Sequence, residues 1–161
     1  MLNYFLLKVI HLGALIFWLG PALGAWLVLK YANHKSHNSQ TIAVIYPVFF
    51  MMLSLEHIAF AALLTSGIAM AHSTDMWQTP WLHTKLSLLL LIIIPMEIID
   101  IIIGNWLVKK FTEQKLRDLT LTNTQERLVE FYHGTFTYLA IAILPITVLA
   151  IMWLAVSKTT F

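Results

Sequence analysis

Lys8 and His11 stand inside an apolar run that reaches Leu29, and two further apolar runs are interrupted by Glu56-His57 and by His83, Lys85, Glu97 and Asp100. An ionisable group at bilayer depth costs roughly 2.5–3.5 kcal/mol on insertion scales, so such groups are paired, water-lined or functional. Three chemistries fit these residue types. Imidazole and thioether side chains can ligate haem iron or copper, with His11, His57, His83 and Met96 as the intramembrane candidates. Carboxyl groups at an i to i+3 spacing, Glu97 and Asp100, can share a proton, hold a cation or pair with Lys109. Glu56, next to His57, can pair with Lys8 or Lys85 or carry a proton.

Helical geometry sets which of these groups can meet. Lys8 and His11, three residues apart, share one side of a helix, with Trp18 two turns beyond on nearly the same line. Glu56 and His57 point about 100° apart and cannot both aim at one partner. Trp81, Lys85 and Met96 fall within about 40° of one line, while His83 lies nearly opposite Lys85 and nearer the Glu97 line. Gly20 and Gly24 offer a small surface for a neighbouring helix or a flat cofactor, and Pro21 bends the first helix. Lys85 lies close enough to the outer interface to snorkel. His133 reads as an interfacial histidine on a helix that serves packing.

The elements that position these groups follow from composition. The chain has 161 residues, is 59% apolar and 11% charged, and is expected to be a single membrane domain over residues 1–161. Without cysteine it has no disulfide, no thiolate ligand and no CxxCH haem attachment. A net charge of +2 gives no reason to expect nucleic acid. Neither a phosphate-binding glycine loop nor a nucleophile elbow is present. The first apolar run lacks a preceding basic region and is too long for a signal-peptide core, so it is expected to be retained.

Four stretches, 4–29, 42–70, 81–108 and 131–156, can each span about 30 Å of hydrocarbon at about 1.5 Å per residue. The expected class is all-α, a polytopic four-helix transmembrane bundle. Lys30, Lys35, Lys109, Lys110, Lys115, Arg117 and Arg127 fall in the first and third loops, which also include His34 and His37. The positive-inside rule makes those loops cytoplasmic, with both termini and the loop of His72, Asp75, Met76 and Trp77 outside. In a bacterium the location would be the inner membrane. Trp77, Trp81 and Trp106 suit interfacial aromatic belts. The stretch from Phe111 to Glu130 carries charges of both signs and fits a short surface helix.

Lys8-Val-Ile-His11-Leu-Gly-Ala-Leu-Ile-Phe-Trp18-Leu-Gly20, then Trp81-Leu82-x-x-Lys85-Leu86, then Leu154-Ala-Val-Ser-Lys158, resembles an uncharacterised bacterial integral membrane family of about this length. That family looks related to the copper resistance protein D membrane domain and to HemJ-type membrane protoporphyrinogen oxidases. In the HemJ type, the early His and the Lys of the second motif matter for haem b binding and activity, which maps to His11 and Lys85. A His follows that Lys by about three turns in those proteins, where this chain has Met96. The resemblance implies a haem-capable four-helix scaffold.

Three functions are therefore expected to compete. In the first, haem b sits in the outer half of the bundle for redox or electron transfer, with a membrane redox partner or a quinone-like substrate. A haem-dependent oxidoreductase falls within that reading. His11 is the first ligand and His57, His83 or Met96 the second; Lys8 and Lys85 face the propionates, and Trp18 and Trp81 line the site. Counting about 1.5 Å per residue from the outer ends puts His11 about 10 Å deep, His57 about 20 Å and His83 about 3 Å. In the second, Met70, His72 and Met76 capture copper outside and His11, His57 or Met96 holds it within. The third is a cofactor-free assembly protein that packs against another subunit or a second copy of itself.

Overall fold

The computed structural model describes residues 4–35 and 39–158, so His37 lies outside the described residues. The chain is all-helical there. Four stretches are long and apolar enough to cross a membrane: Tyr4–Ala32, Ala43–Ser73, Pro80–Leu116 and Asn123–Ser157. The first span consists of α1 (Tyr4–Leu19) and α2 (Pro21–Lys35), the second of α3 (Ser39–Ser73). The third and fourth are continuous helices, α4 (Pro80–Leu116) and α5 (Asn123–Ser157). The hydropathic pattern is inside out relative to a soluble bundle. Phe5, Ile16, Leu91 and Ile146 are 70–77% exposed, while Glu97 is buried. Such a surface is stable where lipid replaces water.

Local chemistry explains the breaks. Pro21 lacks an N–H, and the chain kinks between α1 and α2 while Gly20 N–H still donates to Ile16 O at 3.1 Å. Pro80 opens α4 at the first helical position, after Thr79 in an extended conformation, where a missing N–H is harmless. Pro95 would clash with a regular preceding turn, and the turn Leu89–Ile93 is widened to a π-helix, with Ile94 N–H donating to Leu89 O. Two more π-helical segments, Asp100–Val108 and Tyr132–Phe136, fall in α4 and α5.

The loop between the third and fourth apolar runs is shorter than the sequence suggests. α4 continues to Leu116 and α5 begins at Asn123. The reversal between them uses Asp118 in the left-handed region, and a capping box joins Thr122 to Gln125. The expected surface helix is thus the polar end of two membrane helices, because an N-cap at Thr122 satisfies backbone donors better than a separate element would. The first loop shrinks in the same way, since α2 runs to Lys35 and α3 starts at Ser39.

α1 and α2 pack along α3, and α4 packs on α5. Two apolar cores result. One gathers Ala14, Trp18, Ala59, Phe60, Leu63, Ile93 and Val148. The other gathers Trp26, Leu29, Phe49, Phe50, Leu53, Val108, Tyr132 and Phe136. Glu56 and His57 of α3 and Glu97 and Asp100 of α4 occupy the level between them.

Candidate functional site

All four spans contribute to that polar level. From α1, Trp18 is 1% exposed and its Nε1–H donates to Glu97 Oε1 at 2.7 Å. From α3, the imidazole of His57 meets Glu97 Oε2 through Nδ1 at 3.2 Å. Its other nitrogen, Nε2, lies 3.7 Å from Asp100 Oδ2, beyond hydrogen-bond length, and has no hydrogen-bond partner. From α5, Tyr132 O–H donates to Asp100 Oδ1 at 2.8 Å. The i to i+3 spacing of Glu97 and Asp100 puts both carboxyls on one side of α4, so His57 sits between them.

Sterics hold Tyr132 in place. A Cβ at Gly104 would fall 2.6 Å from Tyr132 Cζ, so only glycine lets the phenol ring lie this close to α4. Gly104 belongs to the widened segment that starts at Asp100, and Tyr132 starts the widened segment of α5. π-Helical turns often mark functional positions because they re-aim side chains without ending the helix. Here they flank both ends of the Asp100–Tyr132 bond.

Glu56 completes the set: its Oε2 is buried with no hydrogen-bond partner. Glu56, Glu97, Asp100, Met96 and Tyr132 share the wall of a cavity of about 120 Å³ with Leu19, Leu23, Trp26, Phe49 and Pro145. Among the described residues no Lys or Arg lines it. The cavity lies where α2, which packs on α3, leaves a gap to α5 next to the Gly20–Pro21 break.

His11 belongs to a separate place. Its Nδ1 contacts Leu63 O at 2.9 Å and Ser66 Oγ at 3.1 Å, and its ring edge lies against Gly67, where a Cβ would be 3.1 Å from Cε1. Lys85 is near enough for its charge to act on this ring. His11 and Lys85, the two residues named by the resemblance, thus lie within electrostatic range of each other. His57 is not with them. Leu63 and Gly67 are six and ten residues beyond His57 on α3, a rise of about 9–15 Å at about 1.5 Å per residue. Axial ligands of one iron must lie at one depth, so the pairing of His11 with His57 does not fit a single haem. His83 is exposed and its ring nitrogen contacts Trp77 O at 2.6 Å, while Met96 lines the acidic cavity. Neither of them faces His11. Lys8 is exposed and Trp81 half-buried at the start of α4.

Met70, His72 and Met76 gather at one end of the bundle, in the last turn of α3 and the following 3-10 turn, with His72 exposed. Among the described residues no three His, Asp or Glu side chains converge to hold a metal ion. At Gly24 nothing among the described residues lies within 4 Å of a Cβ placed there. Close approach occurs instead at Gly67 and Gly104. Glu97 and Asp100 bond to Trp18 and Tyr132 rather than to Lys109, which is exposed. Sequence reasoning missed Tyr132 and Trp26. The pairing of a tyrosine at one span's start with an acid in another leaves no trace in either segment alone.

No protein-family model, no curated protein and no solved structure matches the chain.

Proposed function

We propose that this integral membrane protein works through an intramembrane proton- and cation-handling site formed by Glu56, His57, Glu97, Asp100 and Tyr132. The observation that carries the reading is the connected line Trp18, Glu97, His57, Asp100, Tyr132, which draws on all four spans and borders a cavity walled by carboxyl groups and aromatic rings. Two unit charges about 4 Å apart repel by roughly 4 kcal/mol at an effective dielectric near 20. Three carboxyls in one dry layer therefore keep at least one proton among them. Trp18 and His57 occupy the two oxygens of Glu97, which leaves Asp100 and Glu56 as the groups that carry protons.

The chemistry is a short proton exchange. With His57 Nδ1–H donating to Glu97, Nε2 is left as an acceptor facing Asp100 Oδ2. Closing the 3.7 Å separation by about half an ångström makes that contact a hydrogen bond, through which Asp100 protonates His57. Tyr132 then donates to a carboxylate instead of a carboxylic acid, a stronger bond that favours the transfer. A cation in the cavity would take the place of the proton, since negative charge and ring faces attract it and no Lys or Arg competes. The basic ends of α2 and α4 set the orientation by the positive-inside rule, with the end of α3 that carries Met70 and His72 outside. A bacterial inner membrane is consistent with this placement.

The test is proton flux in proteoliposomes loaded with a pH-sensitive dye under an imposed gradient, with and without tetramethylammonium. Wild-type protein should dissipate the gradient faster than protein-free liposomes, and Asp100→Asn should return the rate to that baseline. Wild-type rates equal to the baseline under both conditions would overturn the proposal.

A second reading is favoured by one contact. A metal-bound imidazole commonly donates its other N–H to a backbone carbonyl, and His11 Nδ1 has Leu63 O as such a partner. His11 Nε2 would then hold haem iron as a single axial ligand, with Lys85 beside a propionate, and the haem would supply one-electron chemistry. Copper held at His11 and captured by Met70, His72 and Met76 uses the same imidazole. Absorption spectra of the oxidised and reduced protein, with metal analysis, separate these. A Soret band lost in His11→Ala supports haem, and a colourless, metal-free preparation after supplementation with haem and copper removes both.

A further inference from the structure

The second cavity of the bundle is lined by Trp26, Leu29, Lys30 and His133 and has a volume of about 120 Å³. Its hydrogen-bond accounting is one-sided. Trp26 is 7% exposed, and its Nε1, a donor only, has no partner. Both ring nitrogens of His133 are buried and unpartnered as well. His133 is not the rim histidine the sequence suggests, because its ring is set among Tyr46, Phe49 and Tyr132, with centroids 5.2–6.0 Å away. Lys30 Nζ lies over the rings of Trp26 at 5.5 Å and Tyr138 at 5.4 Å and makes no ion pair among the described residues. Among the described residues no acidic side chain lines the space.

Buried tryptophan N–H groups normally find an acceptor, and an unmet one costs about 1–3 kcal/mol. Here an indole N–H, an ammonium group and an imidazole that can offer an N–H share one small space, and among the described residues no carboxylate lines it to receive them. A group with several acceptor oxygens and negative charge satisfies all three. The volume suits one: a water takes about 30 Å³, so the cavity has room for a phosphate or carboxylate group. Val108 packs in the same core as Trp26 and Tyr132, which places the exposed Lys109 and Lys110 at this end of the bundle. They raise the local concentration of anions. Leu27, Tyr31 and Tyr138, all exposed beside Lys30, give an apolar surface on which acyl chains can lie.

We propose that this cavity binds an oxyanion, phosphate or carboxylate, carried by an anionic lipid headgroup or by a free small anion. Lys30 provides the charge, Trp26 Nε1–H the buried hydrogen bond, and His133 a second donor from the opposite wall. Trp26 also borders the acidic cavity, so the two cavities share one wall, while Lys30 and His133 line this one.

The experiment follows the indole N–H resonances of the full-length protein, labelled with nitrogen-15 at tryptophan, in neutral detergent micelles. Trp26→Phe assigns the signal, and the Trp18 signal, already bonded to Glu97, is the internal reference. Short-chain phosphatidylglycerol should move the Trp26 proton downfield in a saturable way. Lys30→Gln should weaken that response tenfold or more, Lys30→Arg should retain it, and His133→Phe should weaken it to a smaller degree. Inorganic phosphate producing the same shift identifies a free anion as sufficient; a shift with the lipid alone identifies the headgroup. No saturable shift with either probe, or a shift undiminished in both Lys30→Gln and His133→Phe, would overturn the proposal.

Discussion

Trp18 and Trp26 stand eight residues apart on either side of the Gly20–Pro21 break, both almost fully buried, and they face opposite electrostatic problems. Trp18 donates to Glu97 in a layer rich in acceptors. Trp26, which borders both the acidic cavity and the one lined by Lys30 and His133, has a donor with no hydrogen-bond partner. One break in one helix thus divides the bundle into an acidic level that holds protons and a basic end that awaits an anion. The same side chain is structural in the first and a ligand contact in the second.

The strongest way to break the comparison is to remove the acceptor that Trp18 depends on. Glu97→Ala leaves Trp18 and His57 without a partner and should cost about 3–5 kcal/mol, read by reversible unfolding in mixed micelles, with Glu97→Gln retaining part of it. Gly104→Ala acts on the same layer from the other side. Its Cβ overlaps Tyr132, so about 1–3 kcal/mol should be lost, and Tyr132→Phe in the same molecule should relieve part of that loss because the hydroxyl lies nearest. Trp18→Phe removes the N–H that Glu97 accepts and shrinks a fully buried ring, which should cost about 1–3 kcal/mol. The smallest effect sharpens the contrast. Trp26→Phe also shrinks a buried ring but removes an unmet donor, so it should cost about 1 kcal/mol less than Trp18→Phe in anion-free detergent.

Much of the fold was legible because bilayer thickness imposes span length, and four apolar runs could be counted directly. Their ends were not, since Thr122, Asp118 and the polar turns beyond the hydrocarbon follow capping chemistry that hydropathy ignores. For the site, the spacing of Glu97 and Asp100 and the oddness of Glu56-His57 were visible in the chain. What they touch was not. Trp18 reaches Glu97 and Tyr132 reaches Asp100 through helix register, through glycine at 104 and through widened turns, which a linear reading cannot align. The separate depths of His11 and His57 agree with counting residues along each span.

The most direct measurement of the central claim is the infrared spectrum of the reconstituted protein in the carboxylic acid C=O region, at neutral pH and after exchange into heavy water. A band from protonated carboxyl groups is expected in the wild-type protein, diminished in Asp100→Asn and in Glu56→Gln and unchanged in Glu113→Gln, whose carboxyl is exposed on the polar end of α4. A wild-type spectrum without any protonated carboxyl band, or one that none of the first two substitutions alters, would contradict a proton-holding layer at the centre of the bundle.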